Sequence, residues 1–157
     1  MNSEIQNQET KTAYPFMPIP FLELLGVKRE EVANGTARMS LELQPQLRNL
    51  YDGFHGGVIM TLLDVVMASA AVSRNNFQKT VVTVDISVSF LAPASGQLVA
   101  TAEATGGGRS MCFCEGRVID ANGTLIAKAL GTFKYLSLAR TRPASDDDIT
   151  HDTETPL

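Results

Sequence analysis

Apolar and polar residues alternate strictly in several stretches of this chain, the signature of half-buried β-strands. Thr36 to Leu43 (TARMSLEL) shows it, and four further strand-like runs follow: Thr80 to Leu91, Gln97 to Thr105, Ser110 to Asp120 and Thr124 to Leu136. Val27 to Val32 reads as another strand, closed onto Thr36 by an Asn34-Gly35 hairpin turn. Gly106-Gly107-Gly108 and Asn122-Gly123 mark the turns between the last three runs. One segment departs from this rhythm. Gly56 to Arg74 (GGVIMTLLDVVMASAAVSR) is apolar nearly all the way round, which predicts a buried central helix and not a surface one. Small residues in its second half (Ala68, Ser69, Ala70, Ala71) let a sheet or a second helix come close.

The remaining segments are connections. Tyr14 to Pro20 is punctuated by proline and should lie extended, and Phe21 to Leu25 makes a short helical turn ended by Gly26. Gln44 to Phe54 and Asn75 to Lys79 read as loops. The order is two strands, one helix, then four strands read as a meander. One helix cannot cover both faces of a sheet that wide. An α+β fold follows, a six-stranded antiparallel sheet wrapped around one long central helix, with its outer face left to solvent or another subunit.

At 157 residues, 44% of them hydrophobic and 19% charged, the chain suits one folded domain. The net charge of −4 is unevenly placed. Residues 15–137 hold ten basic and ten acidic side chains, so the acidity belongs to the ends. The expected organisation is a flexible tail at 1–14, the domain at 15–137 and an acidic flexible tail at 138–157. A neutral domain without a basic stripe argues against nucleic acid as a partner. Asp64 and Ser69 interrupt the longest apolar run, which argues against a membrane span. Cys112 and Cys114 share one strand face and read as buried free thiols, since same-strand thiols fit disulfide geometry poorly. The polar N-terminus shows no signal peptide, so a cytoplasmic location is expected. With His55 and His151 the only histidines, no metal site is expected.

Three features carry candidate chemistry. Asp64 stands mid-helix among Leu62, Leu63, Val65, Val66 and Met67, where an unpaired carboxylate is costly to bury. Either it bonds Thr61 one turn earlier or caps a neighbouring backbone group, or it is the kind of group that a general base or nucleophile requires. His55-Gly56-Gly57 opens the same helix with two poor helix formers. These glycines offer bare N–H groups at the positive helix end, where a developing oxyanion is stabilised, or else they serve a tight turn. Gly56 and Asp64 lie eight residues apart, about 12 Å along a helix. If both act on one substrate, one of them comes from a second subunit, so a dimer with composite sites is expected. Finally, Gly106 to Ser110 (GGGRS) lacks the lysine and helix of a phosphate-binding loop and reads as a hairpin turn.

Asn49 to Ala71 (NLYDGFHGGVIMTLLDVVMASAA), followed by Thr83 to Ala94 (TVDISVSFLAPA), resembles the hotdog-fold thioesterases of the phenylacetate-degradation (PaaI-like) branch. The likeness runs from about Phe16 to Leu136. Its motif is Asn, Gly, His-Gly-Gly, then Asp seven residues after the second glycine. That resemblance implies an acyl-CoA thioesterase in which dimers pair edge strands into one sheet. Asp64 is then the catalytic carboxylate, as nucleophile or as base on water, and the Gly56 N–H of the other subunit polarises the thioester carbonyl. Asn49 and His55 shape this site. Thr83 takes the place of a small hydroxyl residue that positions water or the carboxylate. Gly57, Thr61, Arg109 and Ser110 are implied on the substrate, with Arg109 near a coenzyme A phosphate. Coenzyme A is part of the substrate, so no separate cofactor is implied, and the assembly is a homodimer or a dimer of dimers.

The strand from Thr83 has its own pattern. Thr83, Asp85, Ser87 and Ser89 alternate with Val84, Ile86, Val88 and Phe90, which places the valines, isoleucine and phenylalanine on the helix and Thr83 on the opposite face. Asp85 reads as a solvated or interface residue. Two rival functions remain: a hotdog dehydratase acting on hydroxyacyl thioesters, which wants a histidine paired with a carboxylate, and a non-catalytic acyl-CoA-binding module.

Overall fold

Pro20 opens a short helix, α1 (Pro20–Leu25), at a position where its missing N–H is no loss, and Gly26 ends it with a left-handed φ of 76°. The structure, a computed structural model, describes residues 17–138; the tails expected at 1–14 and 138–157 lie outside them apart from Leu138. Strands β1 (Lys28–Ala33) and β2 (Thr36–Glu42) form the expected hairpin, with Asn34 and Gly35 at φ 51° and 80° in its turn. A 3-10 turn (Pro45–Leu47) interrupts the stretch read as plain loop. Helix α2 (Gly56–Arg74) has the expected bounds, and β3 (Lys79–Phe90), β4 (Gln97–Gly107), β5 (Met111–Asp120) and β6 (Leu125–Ser137) complete the fold.

The six strands form one antiparallel sheet in the order β1-β2-β4-β5-β6-β3, curled around α2. The meander expected for the last four strands holds only for β4, β5 and β6. β3 pairs with β6 at the far edge, while β4 crosses over to pair with β2 across seven residues. By length and composition α2 could cross a membrane. Here it packs against the sheet, with Leu62, Leu63, Val66, Met67, Ala70 and Ala71 sealed from solvent. Two strand glycines admit it. A Cβ on Gly116 would sit 3.0 Å from Met67 Cγ, and one on Gly131 would sit 3.1 Å from Met67 Cε. Central strands that present only hydrogen atoms let the thickest part of the helix approach.

Cys112 and Cys114 lie on this inner face, free and buried, with their sulfurs 3.9 Å apart. Burial, reinforced by the neighbouring Cys112, pushes the Cys114 thiol well above its ordinary range. Burial likewise raises Tyr135, whose hydroxyl donates to the Ala71 carbonyl at 2.9 Å.

Candidate active site

The approach to α2 is organised by one side chain. Asn49 Nδ2 donates to the Phe54 carbonyl at 3.0 Å, while its Oδ1 accepts from the N–H groups of Tyr51 (2.8 Å) and Gly53 (3.2 Å). Its backbone N–H adds a 2.8 Å bond to Gly53 O. Gly53 is required here, because a Cβ would lie 2.8 Å from the Ala94 carbonyl oxygen. Asn49 thus holds the loop as a rigid ring and delivers His55 to the start of the helix.

His55 is the N-cap of α2, and its Nδ1 accepts the Gly57 N–H at 3.0 Å. Gly57, expected on the substrate, therefore has its donor engaged by the cap. The Gly56 N–H has no acceptor among the described residues. Packing within the chain does not demand glycine at 56, since a Cβ there meets only the Phe90 ring at an ordinary 3.6 Å. What glycine provides is open access to that free N–H at the positive end of the helix.

Asp64 is half-buried in the middle of α2, and Thr61 is not its partner. The Thr61 hydroxyl bonds back to Gly57 O at 2.9 Å. Instead the Thr83 hydroxyl donates to Asp64 Oδ1 at 2.7 Å. This overturns the facing expected from alternation. The register of β3 against β6 slips between Thr83 and Asp85, with Thr83 opposite Phe133 and Asp85 opposite Thr132. Val84 is the extra residue of a β-bulge, and it turns Thr83 onto the helix face while Asp85, Ser87 and Ser89 stay on the outer face. Asp64 Oδ2 has no partner among the described residues.

Along β3 the candidate groups are spread out. Lys79 at its start donates to the Arg109 carbonyl at 2.8 Å, Thr83 holds Asp64 further along, and Phe90 at its end covers Gly56. Arg109 and Ser110 are exposed on the β4–β5 turn, with Arg109 at the Lys79 end of β3 and not at the Phe90 end that meets Gly56. Beside Gly56 lies a cleft of ≈ 360 Å³, bordered by Tyr51, Phe54, Ile59 and Phe90. A larger groove of ≈ 860 Å³ on the outer face of the sheet contains none of the candidate residues. Tyr51 and Phe90 line the cleft although no sequence signal marks them: alternation puts Phe90 on the helix, and Tyr51 lies in a loop.

Residues 53–127 match the family described as the thioesterase superfamily. A Halobacterium salinarum protein classed provisionally as an esterase is 31% identical over 124 residues, spanning 72% of this chain and 82% of its own length. The Escherichia coli PaaI protein of the phenylacetic acid degradation operon shares the fold with a TM-score of 0.75 at 19% identity, covering 82% of this chain and 92% of that one. A Streptococcus pneumoniae thioesterase-like protein solved with coenzyme A has a TM-score of 0.65 at 21% identity, covering 71% and 86%.

Proposed function

Since this chain belongs to the thioesterase superfamily, with its hotdog fold, we propose that it hydrolyses an acyl-CoA thioester to a free acid and coenzyme A. The observation that carries this reading is the pairing of a free helix-end donor, the Gly56 N–H, with a hydroxyl-held carboxylate, Asp64, on one helix. The S. pneumoniae protein solved with coenzyme A supports the choice of thiol.

The two groups are eight residues apart, about 12 Å at ~1.5 Å per residue, too far to reach one carbonyl carbon and its oxygen from the same helix. Two antiparallel copies of α2 related by a two-fold axis bring Gly56 of one protomer beside Asp64 of the partner subunit, giving two equivalent sites. The axis then passes near Met60, midway between them and 42% exposed in the protomer. β3 supports the same assembly. It is an edge strand of twelve residues with Val82 and Val84 exposed, and an edge of that length invites pairing with another copy.

In the composite site the thioester oxygen accepts the Gly56 N–H, and the helix end stabilises the oxyanion that forms when the carbonyl is attacked. Asp64 of the partner subunit supplies the attack, either by its own free Oδ2 or by taking a proton from water. Thr83 holds Oδ1, which fixes the direction in which Oδ2 points. Collapse of the oxyanion expels the coenzyme A thiolate, which takes up a proton; where Oδ2 itself attacks, water then hydrolyses the acyl–Asp64 anhydride to release the acid and restore the carboxylate. The dehydratase alternative loses ground, because the His55 Nδ1 is committed to the helix cap and no carboxylate pairs with the ring among the described residues.

Release of free thiol from a panel of acyl-CoA substrates tests this. Turnover of at least one substrate is expected, with Asp64→Ala lowering kcat by a factor of ~10² or more. Binding of acyl-CoA without any thiol release would contradict it.

A further inference from the structure

Tyr51 is held in a place that the protomer's own packing does not explain. Its side chain is 86% exposed, yet its backbone belongs to the saturated Asn49 ring and its N–H is fixed by Asn49 Oδ1 at 2.8 Å. The next residue, Asp52, adopts a left-handed φ of 62°, which gives the tip a defined shape. A large ring displayed in water on such a backbone gains nothing from burial within the chain.

Tyr51 borders the ≈ 360 Å³ cleft that contains Gly56. Phe54 and Ile59, both buried, form the floor of that cleft, and Phe90, half-exposed, forms one rim. Tyr51 is the other rim. Apart from the Gly56 N–H, which takes the carbonyl, and the hydroxyl at the tip of Tyr51, the polar atoms nearby are engaged: the Asn49 amide bonds within its loop and the Ala94 carbonyl accepts the Phe54 N–H at 2.8 Å. A pantetheine arm, with two amides to satisfy, would find no partners among those groups. A hydrocarbon acyl chain needs none.

Given the composite site proposed above, we infer that Tyr51 is a specificity-determining clamp, its ring closing over the acyl chain of a thioester whose carbonyl lies on Gly56 of the same protomer and whose attacking carboxylate is Asp64 of the partner subunit. The clamp acts through the ring. Its hydroxyl has no hydrogen-bond partner among the described residues.

The experiment measures kcat and KM for an acyl-CoA series of increasing chain length, using the wild type, Tyr51→Ala and Tyr51→Phe. Tyr51→Ala should raise KM about tenfold for the best substrate with kcat within about threefold, and should shift preference along the series, while Tyr51→Phe keeps the wild-type profile. An unchanged KM and chain-length profile in Tyr51→Ala would overturn the inference, as would a Tyr51→Phe variant as impaired as Tyr51→Ala. A heterodimer of Asp64→Ala and Tyr51→Ala chains, co-expressed with different affinity tags, then assigns the clamp to a subunit. One of its two sites is intact, so it should show the wild-type KM at about half the wild-type kcat. A KM like that of Tyr51→Ala would place the ring on its own chain's Asp64 and refute the assignment. Absence of turnover by the wild type is a separate outcome, and it would remove the thioesterase reading itself.

Discussion

The Thr83 hydroxyl reaches Asp64 Oδ1 at 2.7 Å because an extra residue, Val84, bulges out of β3 immediately after it. A hydrogen bond to a charged group contributes roughly 1.5–3 kcal/mol, which corresponds to about ten- to a hundredfold in rate when it orients a reacting carboxylate. Thr83→Val keeps the β-branched shape and removes the donor. Its kcat should fall within that range with KM changed less than about twofold, and Thr83→Ser should recover most of the loss. Steady-state kinetics on the three proteins decides whether Thr83 positions Asp64 or only packs beside it.

Gly56 should show opposite effects on stability and activity. A methyl group there fits against Phe90 at 3.6 Å, and alanine is the better helix former by up to about 1 kcal/mol. Thermal unfolding of Gly56→Ala should therefore give a Tm no lower than the wild type. The same methyl projects into the cleft where the carbonyl would dock, so kcat/KM should drop at least about tenfold. A lowered Tm would mean instead that glycine is needed for packing.

His55 acts on the helix end and not on the substrate. Loss of its cap in His55→Ala should cost about 0.5–2 kcal/mol in urea denaturation, and His55→Asn, which restores a good N-cap, should recover it. The Asn variant should also keep kcat within about threefold. A fall of ~10² or more in that variant would show the imidazole to be a general acid or base.

Burial raises both Cys114 and Tyr135. Each raised group favours the native state while its unfolded counterpart stays protonated, and this contribution is lost as pH climbs past the unfolded value, which is 9.0 for Cys114. Stability from urea denaturation should be flat from pH 7 to 8.5 and then decline by up to about 1.4 kcal/mol per pH unit for each group. Cys114→Ala should have the shallower decline. In the native protein neither cysteine should react with an aromatic disulfide reagent at pH 8, and both should react after denaturation.

Much of the fold was legible because its signals are local. Asn34-Gly35 closed a hairpin, and an apolar run too long for a strand became α2 with unchanged bounds. The facing of Thr83 was not legible, because a bulge adds a residue without altering composition, so positions before it read one step out of phase with those after it. Strand order failed for a related reason. Alternation marks a strand's two faces but not its neighbours, so nothing in β3 said that it would pair with β6 and leave β4 to β2. The proposed site divides in the same way. The His-Gly-Gly and Asp64 spacing was readable along the chain, whereas the choice between the Gly56 and Gly57 donors depends on the rotamer of His55. Tyr51 and Phe90 come together only through the Asn49 ring and the end of β3.

The most direct measurement is the activity of a tagged heterodimer that joins one Gly56→Ala chain to one Asp64→Ala chain. Each variant is defective as a homodimer, but the mixed pair holds one site with an unmodified Gly56 opposite an unmodified Asp64. Thiol release at about half the wild-type rate is expected. A heterodimer no more active than its two parents would contradict a site shared between subunits.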